Sequence, residues 1–123
     1  MSILGIHHSS VIVKNTTRSV KFYSQILGLE VDHSRPDIGY PGAWLTVGQQ
    51  QIHLLELDNP DPVDNRPAHG GRDRHVALVS DDLNELIIRL EQNSITFTLS
   101  KSGRNALFFR DPDGNAVEVI EQA

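Results

Sequence analysis

The second half of this chain repeats the pattern of the first, and that repeat constrains the fold more than any single motif. In the first half, "HHSSVIV" alternates like a half-buried strand ending near Lys14. "NTTRSVKFYSQILG" follows, with Val20, Tyr23, Ile26 and Leu27 at helical spacing. Asn15 or Thr16 caps its start, and Gly28 suits its C-terminal end. Three strands are then predicted, Leu29 to His33, Ala43 to Val47 and Gln51 to Leu57, separated by a Pro/Gly loop and by "GQQ". Next, "DNPDPVDNRPAHGGRDR" is too rich in proline and glycine for a central strand or a helix, and it reads as a long linker. The pattern then restarts. His75 leads a strand, and Leu83, Leu86, Ile87 and Leu90 form the apolar stripe of a helix in which Asp82 and Glu85 stand at capping-box spacing. A strand begins near Ile95, and two more are joined by the tight turn "DPDG". The expectation is an α+β fold of two tandem β-α-β-β-β modules, about 3–57 and 74–121, joined by linker 58–73 within one domain spanning 1–123.

Laying one module over the other brings chemistry into register. His8 falls on His75, Val20 on Ile87, Tyr23 on Leu90, and "AWL" at 43–45 on "ALF" at 106–108. With two extra residues allowed in the last turn, His53 falls on Glu118. Each module thus carries a metal-ligand residue type on its first strand and another on its last. Strand parity sets His75 with Ala77 and Val79, His53 with Leu55, and Glu118 with Ala116 and Ile120, which are largely apolar faces. Three imidazoles and a carboxylate gathered there without a cation would cost several kcal/mol in desolvation and lost hydrogen bonds. A divalent metal removes that cost, and the donor set suits Zn, Ni, Co, Mn or Fe(II) with positions left for water or substrate. The metal ligands expected are therefore His8, His53, His75 and Glu118. By the same parity His7 points to the opposite face from His8.

Composition narrows the partners. A formal charge of −5 and scattered Lys and Arg residues give no basic footprint for nucleic acid or an anionic membrane. The absence of cysteine excludes disulfides, thiolate ligands and cysteine nucleophiles. "MSILGIHH" lacks the flank and apolar run of a signal peptide, and no stretch has the apolar length of a membrane span, so a soluble, cytoplasmic protein is expected, with a small molecule or another protein as its partner.

The repeat, together with "HHSSVIV", "SVKFYSQILGL", "RHVALVSDDL" and "FFRDPDGNAVEV", resembles the vicinal oxygen chelate superfamily of glyoxalase I, bleomycin-resistance and dioxygenase-like proteins over essentially the whole chain. "GAWLTVGQQQIHLLEL" followed by "RHVAL" is most similar to its glyoxalase-I-like members. The resemblance implies a curved mixed-sheet cup, a homodimer completing that cup, and metal ligands on the first and last strand of each module. It also implies a metal-dependent lyase or isomerase acting on a small substrate that chelates through adjacent oxygens, with Glu118 as catalytic base. Glyoxalase I proper has a glutamate where His53 stands here, so one of its two opposed glutamates is missing. Ring-cleaving dioxygenases of the superfamily use two histidines and one carboxylate, and fosfomycin-resistance enzymes share the His8, His75 and Glu118 pattern. Drug-sequestering members are the non-enzymatic alternative, since they do not need those ligands.

Arg72, Arg74 and Arg104 are candidates for holding a substrate carboxylate or phosphate, against the ordinary role of solvated surface arginines. Trp44, Tyr40 and Phe108 line either a pocket or the core. "HGG" at 69–71 reads as flexible linker without chemistry.

Overall fold

A computed structural model describes residues 1–122. Module one comprises β1 (His8–Val13), α1 (Thr16–Leu27), β2 (Glu30–Asp32), β3 (Gly42–Val47) and β4 (Gln50–Glu56). Module two comprises β5 (His75–Ser80), α2 (Leu83–Gln92), β6 (Thr98–Leu99), β7 (Ala106–Arg110) and β8 (Ala116–Glu121). Each forms a four-stranded sheet, ordered β1-β4-β3-β2 and β5-β8-β7-β6. In each the first and last strands run parallel and the remaining pairs antiparallel, so both sheets are mixed. The strand expected to begin near Ile95 is reduced to the two residues of β6.

The helices form for local reasons legible in the chain. Asn15 caps α1 by accepting from the Arg18 backbone N–H, and Gly28 closes it in the left-handed conformation at φ +69°. Asp82 caps α2 by accepting from the Glu85 N–H, but the Glu85 carboxylate turns outward to Arg89 instead of completing a capping box. The last strand of each module helps both starts: Glu56 accepts from Thr16 N–H, and Glu121 accepts from Leu83 N–H. These two glutamates occupy the same place in the repeat.

One face of each sheet packs inward. Leu45, Ile52 and Leu54 of module one and Leu107, Phe109, Val117 and Val119 of module two join Tyr23, Ile26, Leu86 and Leu90 from the helices in a single continuous core. Each such side chain contributes about 1.5–3 kcal/mol through burial. A polar seam fixes the modules to one another. The Tyr23 hydroxyl donates to Asp111 at 2.8 Å, Arg18 pairs with Asp113 at 3.0 Å, and Asn115 donates to the Ile12 carbonyl. Burial, with the nearby Asp111 charge, pushes the Tyr23 phenol well above its ordinary value.

The linker is more ordered than its composition suggests. Arg66 donates twice to Asp73, Arg110 donates to the same carboxylate, and a 3-10 turn at Gly70–Arg72 lies against β7 and β8. A Cβ on Gly70 would meet Phe108 and Ala116 at 3.2–3.3 Å, and one on Gly114, at φ +81°, would stand 2.5 Å from the Val63 carbonyl oxygen. "HGG" is therefore a packed turn, not a slack tether.

Candidate functional site

The outer face of each sheet carries the residues singled out in the sequence. On module one His8 sits opposite Gln51, while His53 lies between Ser10 and Trp44. On module two His75 sits opposite Ala116, while Glu118 lies between Ala77 and Phe108. The diagonal step from first-strand histidine to last-strand ligand is the same in both sheets. This register also corrects the sequence overlay of the third strands. Trp44, not Leu45, matches Phe108, since each stands opposite its module's last-strand ligand. Leu107, which the overlay set under Trp44, is fully buried in the core.

The four side chains meet as two pairs. The His8 and His53 rings stack with centroids 3.9 Å apart, and Trp44 stacks on His53 at 4.8 Å. His53 Nε2 lies 2.8 Å from Gln51 Oε1. In module two His75 Nε2 lies 3.2 Å from Glu118 Oε1. The pairs belong to different sheets, and among the described residues no three His, Asp or Glu side chains of one chain converge on a metal position. Within one chain the four expected residues therefore stand as two separate pairs.

Burial divides these four residues unevenly. Glu118 is 2% exposed, whereas His8 and His75 are exposed and His53 is half-buried. The apolar face expected around His75 is itself open to solvent at Ala77 and Val79. Glu118 is covered because the 3-10 turn and the loop before β7 fold over its end of the sheet. His7 departs from the expected parity as well. β1 begins at His8, so His7 is not bound by strand geometry, and its Nδ1 lies 2.8 Å from His8 Nδ1.

Two features prepare this face for a cation. His75 Nδ1 donates to the Asp73 carbonyl oxygen at 2.8 Å, which makes Nε2 the ring nitrogen that faces Glu118. Asp73 is itself clamped: the Arg66 guanidinium, followed by Arg110, holds its carboxyl well below the usual range. The second feature is Glu118 Oε2, a buried carboxylate oxygen that makes no hydrogen bond, its nearest cation being Arg104 Nη2 at 3.5 Å. A buried carboxylate with one oxygen beside an imidazole nitrogen and the other without a hydrogen bond fits a divalent metal. On the other sheet, burial, and then His8, His7 and Arg35, push the His53 imidazole below its ordinary value of 6.5, which favours the neutral, ligating form.

Sequence reasoning passed over Gln51 and Asp73, which orient His53 and His75. Their signal was positional: each lies two residues before the histidine it holds. Trp44 and Phe108 flank the site residues, whereas Tyr40 packs under the Arg35 guanidinium. Arg74 pairs with Asp61, and Arg104 alone of the three candidate arginines contacts a site residue, Glu118. A cavity of about 270 Å³ between β1 and β5 touches His75 and Arg74 but not His8, His53 or Glu118, so it is not the site.

Residues 5–119 match the family described as the Glyoxalase/Bleomycin resistance protein/Dioxygenase superfamily. The chain belongs to this superfamily. Within it, the chain is similar to "Glyoxylase I 4" of Arabidopsis thaliana, 28% identical over 97% of this chain and 71% of that protein. It is likewise similar to "Lactoylglutathione lyase" of Escherichia coli O157:H7, 28% identical over 94% of this chain and 90% of that enzyme. The fold matches the crystal structure of a glyoxalase family protein from Bacillus anthracis with a TM-score of 0.80, at 22% identity over 100% of this chain and 98% of that one. No helix is long and apolar enough to cross a membrane among the described residues.

Proposed function

We propose that the protein is a divalent-metal-dependent lyase or isomerase of glyoxalase type, and that each metal centre is shared by two copies of the chain. His8 and His53 of one copy and His75 and Glu118 of the other are the ligands. The observation that carries this reading is the buried Glu118 carboxylate, whose Oε2 has no hydrogen bond and whose Oε1 lies 3.2 Å from Nε2 of His75. Two half-sites with matching register, on sheets that do not bring them together within a chain, support a two-fold arrangement.

A bound metal would supply polarisation of adjacent oxygens on the substrate. The chain supplies the rest. Glu118 takes the proton from the carbon next to the chelating oxygen and returns it to the neighbouring carbon. The Asp73 carbonyl holds His75 in the tautomer that leaves Nε2 free, and Phe108, edge-on to His75 at 5.1 Å, limits water at the base of the site. Trp44 stacked on His53 forms the opposite wall. With histidine at position 53 there is one carboxylate base, so proton transfer runs on one face of the substrate.

Mixed dimers test the sharing. One chain carries His8→Ala and His53→Ala; the other carries His75→Ala and Glu118→Ala. Each alone should bind no metal tightly, while mixing them should create one centre per mixed dimer, built from the intact pair of each chain. Failure of the mixture to regain metal, with both variants folded and dimeric, overturns the shared centre. Wild-type protein that binds ligands equally well with and without metal would favour the drug-sequestering alternative.

A further inference from the structure

The His53 ring is flanked on both faces, by His8 at 3.9 Å and by Trp44 at 4.8 Å, so only its edge is left for polar contacts. On that edge Nε2 lies 2.8 Å from Gln51 Oε1. Gln51 in turn reaches across β3 to β2, where its Nε2 donates to Asp32 Oδ2 at 2.8 Å. The other carboxylate oxygen, Asp32 Oδ1, accepts from the Ser34 backbone N–H at 3.0 Å and from its hydroxyl at 2.7 Å. Asp32, Gln51 and His53 are all half-buried. They form one hydrogen-bonded row from the turn after β2 to the candidate ligand on β4.

Chemistry dictates the direction of each bond in the row. The hydrogen bonds from Ser34, then from Gln51, hold the Asp32 carboxyl below its ordinary value, so it is ionised and can only accept. It therefore draws the NH₂ end of the Gln51 amide and turns the oxygen end towards His53. An amide oxygen can only accept as well, so His53 must donate, and its proton sits on Nε2. The nitrogen left bare is Nδ1. His75 is the reverse case, since its Nδ1 donates to the Asp73 carbonyl and its Nε2 faces Glu118.

We propose that Asp32 is a positioning residue for this site: through Gln51 it sets the tautomer of His53, so that the chain offers Nδ1 from His53 and Nε2 from His75. A negative charge at the far end of the row also polarises the amide and makes the bare nitrogen a better donor. The tautomer is a property of the chain and needs no cation. That Nδ1 serves as a metal donor rests on the metal-centre reading above.

Reversing the polarity of the row tests this. Asp32→Asn keeps an oxygen for the Ser34 turn but sets an NH₂ donor against the NH₂ of Gln51. The amide must then turn over and present its NH₂ to His53, and the His53 proton should move from Nε2 to Nδ1. Adding Gln51→Glu to that variant supplies an acceptor to both neighbours and should return the proton to Nε2. Long-range proton–nitrogen correlation NMR on the metal-free, ¹⁵N-labelled full chain reads the outcome, because protonated and bare ring nitrogens resonate far apart. The spectra are taken above the ordinary imidazole value of 6.5. His75 should stay protonated on Nδ1 throughout. Wild-type His53 protonated on Nδ1, or a proton that stays on Nε2 in Asp32→Asn, overturns the proposal, since Asp32 would then only build its turn. Zn²⁺ titration tests the offered nitrogen. In wild type it should shift the His53 Nδ1 signal while Nε2 keeps its proton, and Asp32→Asn should bind Zn²⁺ about tenfold or more weakly, with partial recovery in the double variant. Zn²⁺ that displaces the Nε2 proton overturns the choice of nitrogen. The stated tautomers in a protein that takes up no Zn²⁺ support the Asp32 assignment and sink the metal-centre reading alone.

Discussion

His8 and His53 stack nearly face to face, their planes 15° apart, with Trp44 continuing the stack on the far side of His53. Parallel rings place the two imidazoles at one edge of a shared slab. In module two His75 meets a carboxylate at the corresponding step of the register, not a second ring. The half-sites are alike in backbone and unlike in chemistry.

That contrast sets the first expectation, for metal affinity. His75→Ala removes the ring nitrogen that faces Glu118 and should weaken metal binding by about a hundredfold or more. His7→Ala should leave affinity within a few-fold, although the two rings touch edge-on, because His7 lies before β1 and outside the sheet register. Equilibrium dialysis with metal analysis distinguishes the two. Loss of metal in His7→Ala with retention in His8→Ala would reverse the assignment.

Chemistry separates Glu118 from His53. Glu118→Gln keeps an oxygen donor but no base, so it should retain most of the metal and lose proton exchange by roughly a hundredfold or more. His53→Gln should keep metal and part of the turnover. The measurement is exchange, in deuterated water, of the substrate proton next to the chelating oxygen, followed by NMR for hemithioacetals and 2-hydroxy acids.

Acid lability should trace to Asp73. Arg66 and Arg110 hold its carboxyl below the ordinary 3.8, so between that value and the lower folded one the unfolded chain binds more protons than the folded chain. The stabilisation is therefore complete above about pH 4 and is lost as the pH falls further. Asp73→Asn should lower the Tm at pH 7 by roughly 5 °C and flatten the loss of stability below pH 4. Thermal melts of both proteins from pH 3 to 7 provide the comparison, and parallel curves would rule Asp73 out as the cause.

The seam between modules gives a cleaner stability change. Tyr23 is buried at 1% exposure, and its hydroxyl donates to a buried Asp111. Tyr23→Phe keeps the ring packing but leaves the carboxylate short of one donor, which should cost about 1–3 kcal/mol. Urea denaturation measures it. A change below a few tenths of a kcal/mol would mean that Asn115 and the backbone donors of the "DPDG" turn suffice for Asp111.

Local rules made most of this architecture readable. The caps at Asn15 and Asp82, the stop at Gly28 and the turn at Gly114 depend on residues close by in the chain, and each is where the pattern puts it. The third strands were misaligned by one residue because "AWL" and "ALF" look alike, while cross-strand pairing to His53 and Glu118 decides which aromatic matches which. Exposure was less legible still. Apolar neighbours at Ala77 and Val79 suggest a desolvated His75, but whether a strand face is covered depends on distant segments. The covering segments here are the linker turn over Ala116 and the Arg104 loop over Glu118, and neither announces itself locally.

Separating the ligand pairs onto two sheets also makes metal occupancy a question of mass action. A half-site offers two donors, which hold a divalent ion loosely, so under the proposed sharing the tight centre exists only in proportion to the dimer. Apparent metal affinity should then rise with protein concentration, and adding metal should drive association in return. At low abundance the chain would release its ion by dilution alone, and the amount of protein would itself set how much of it is competent.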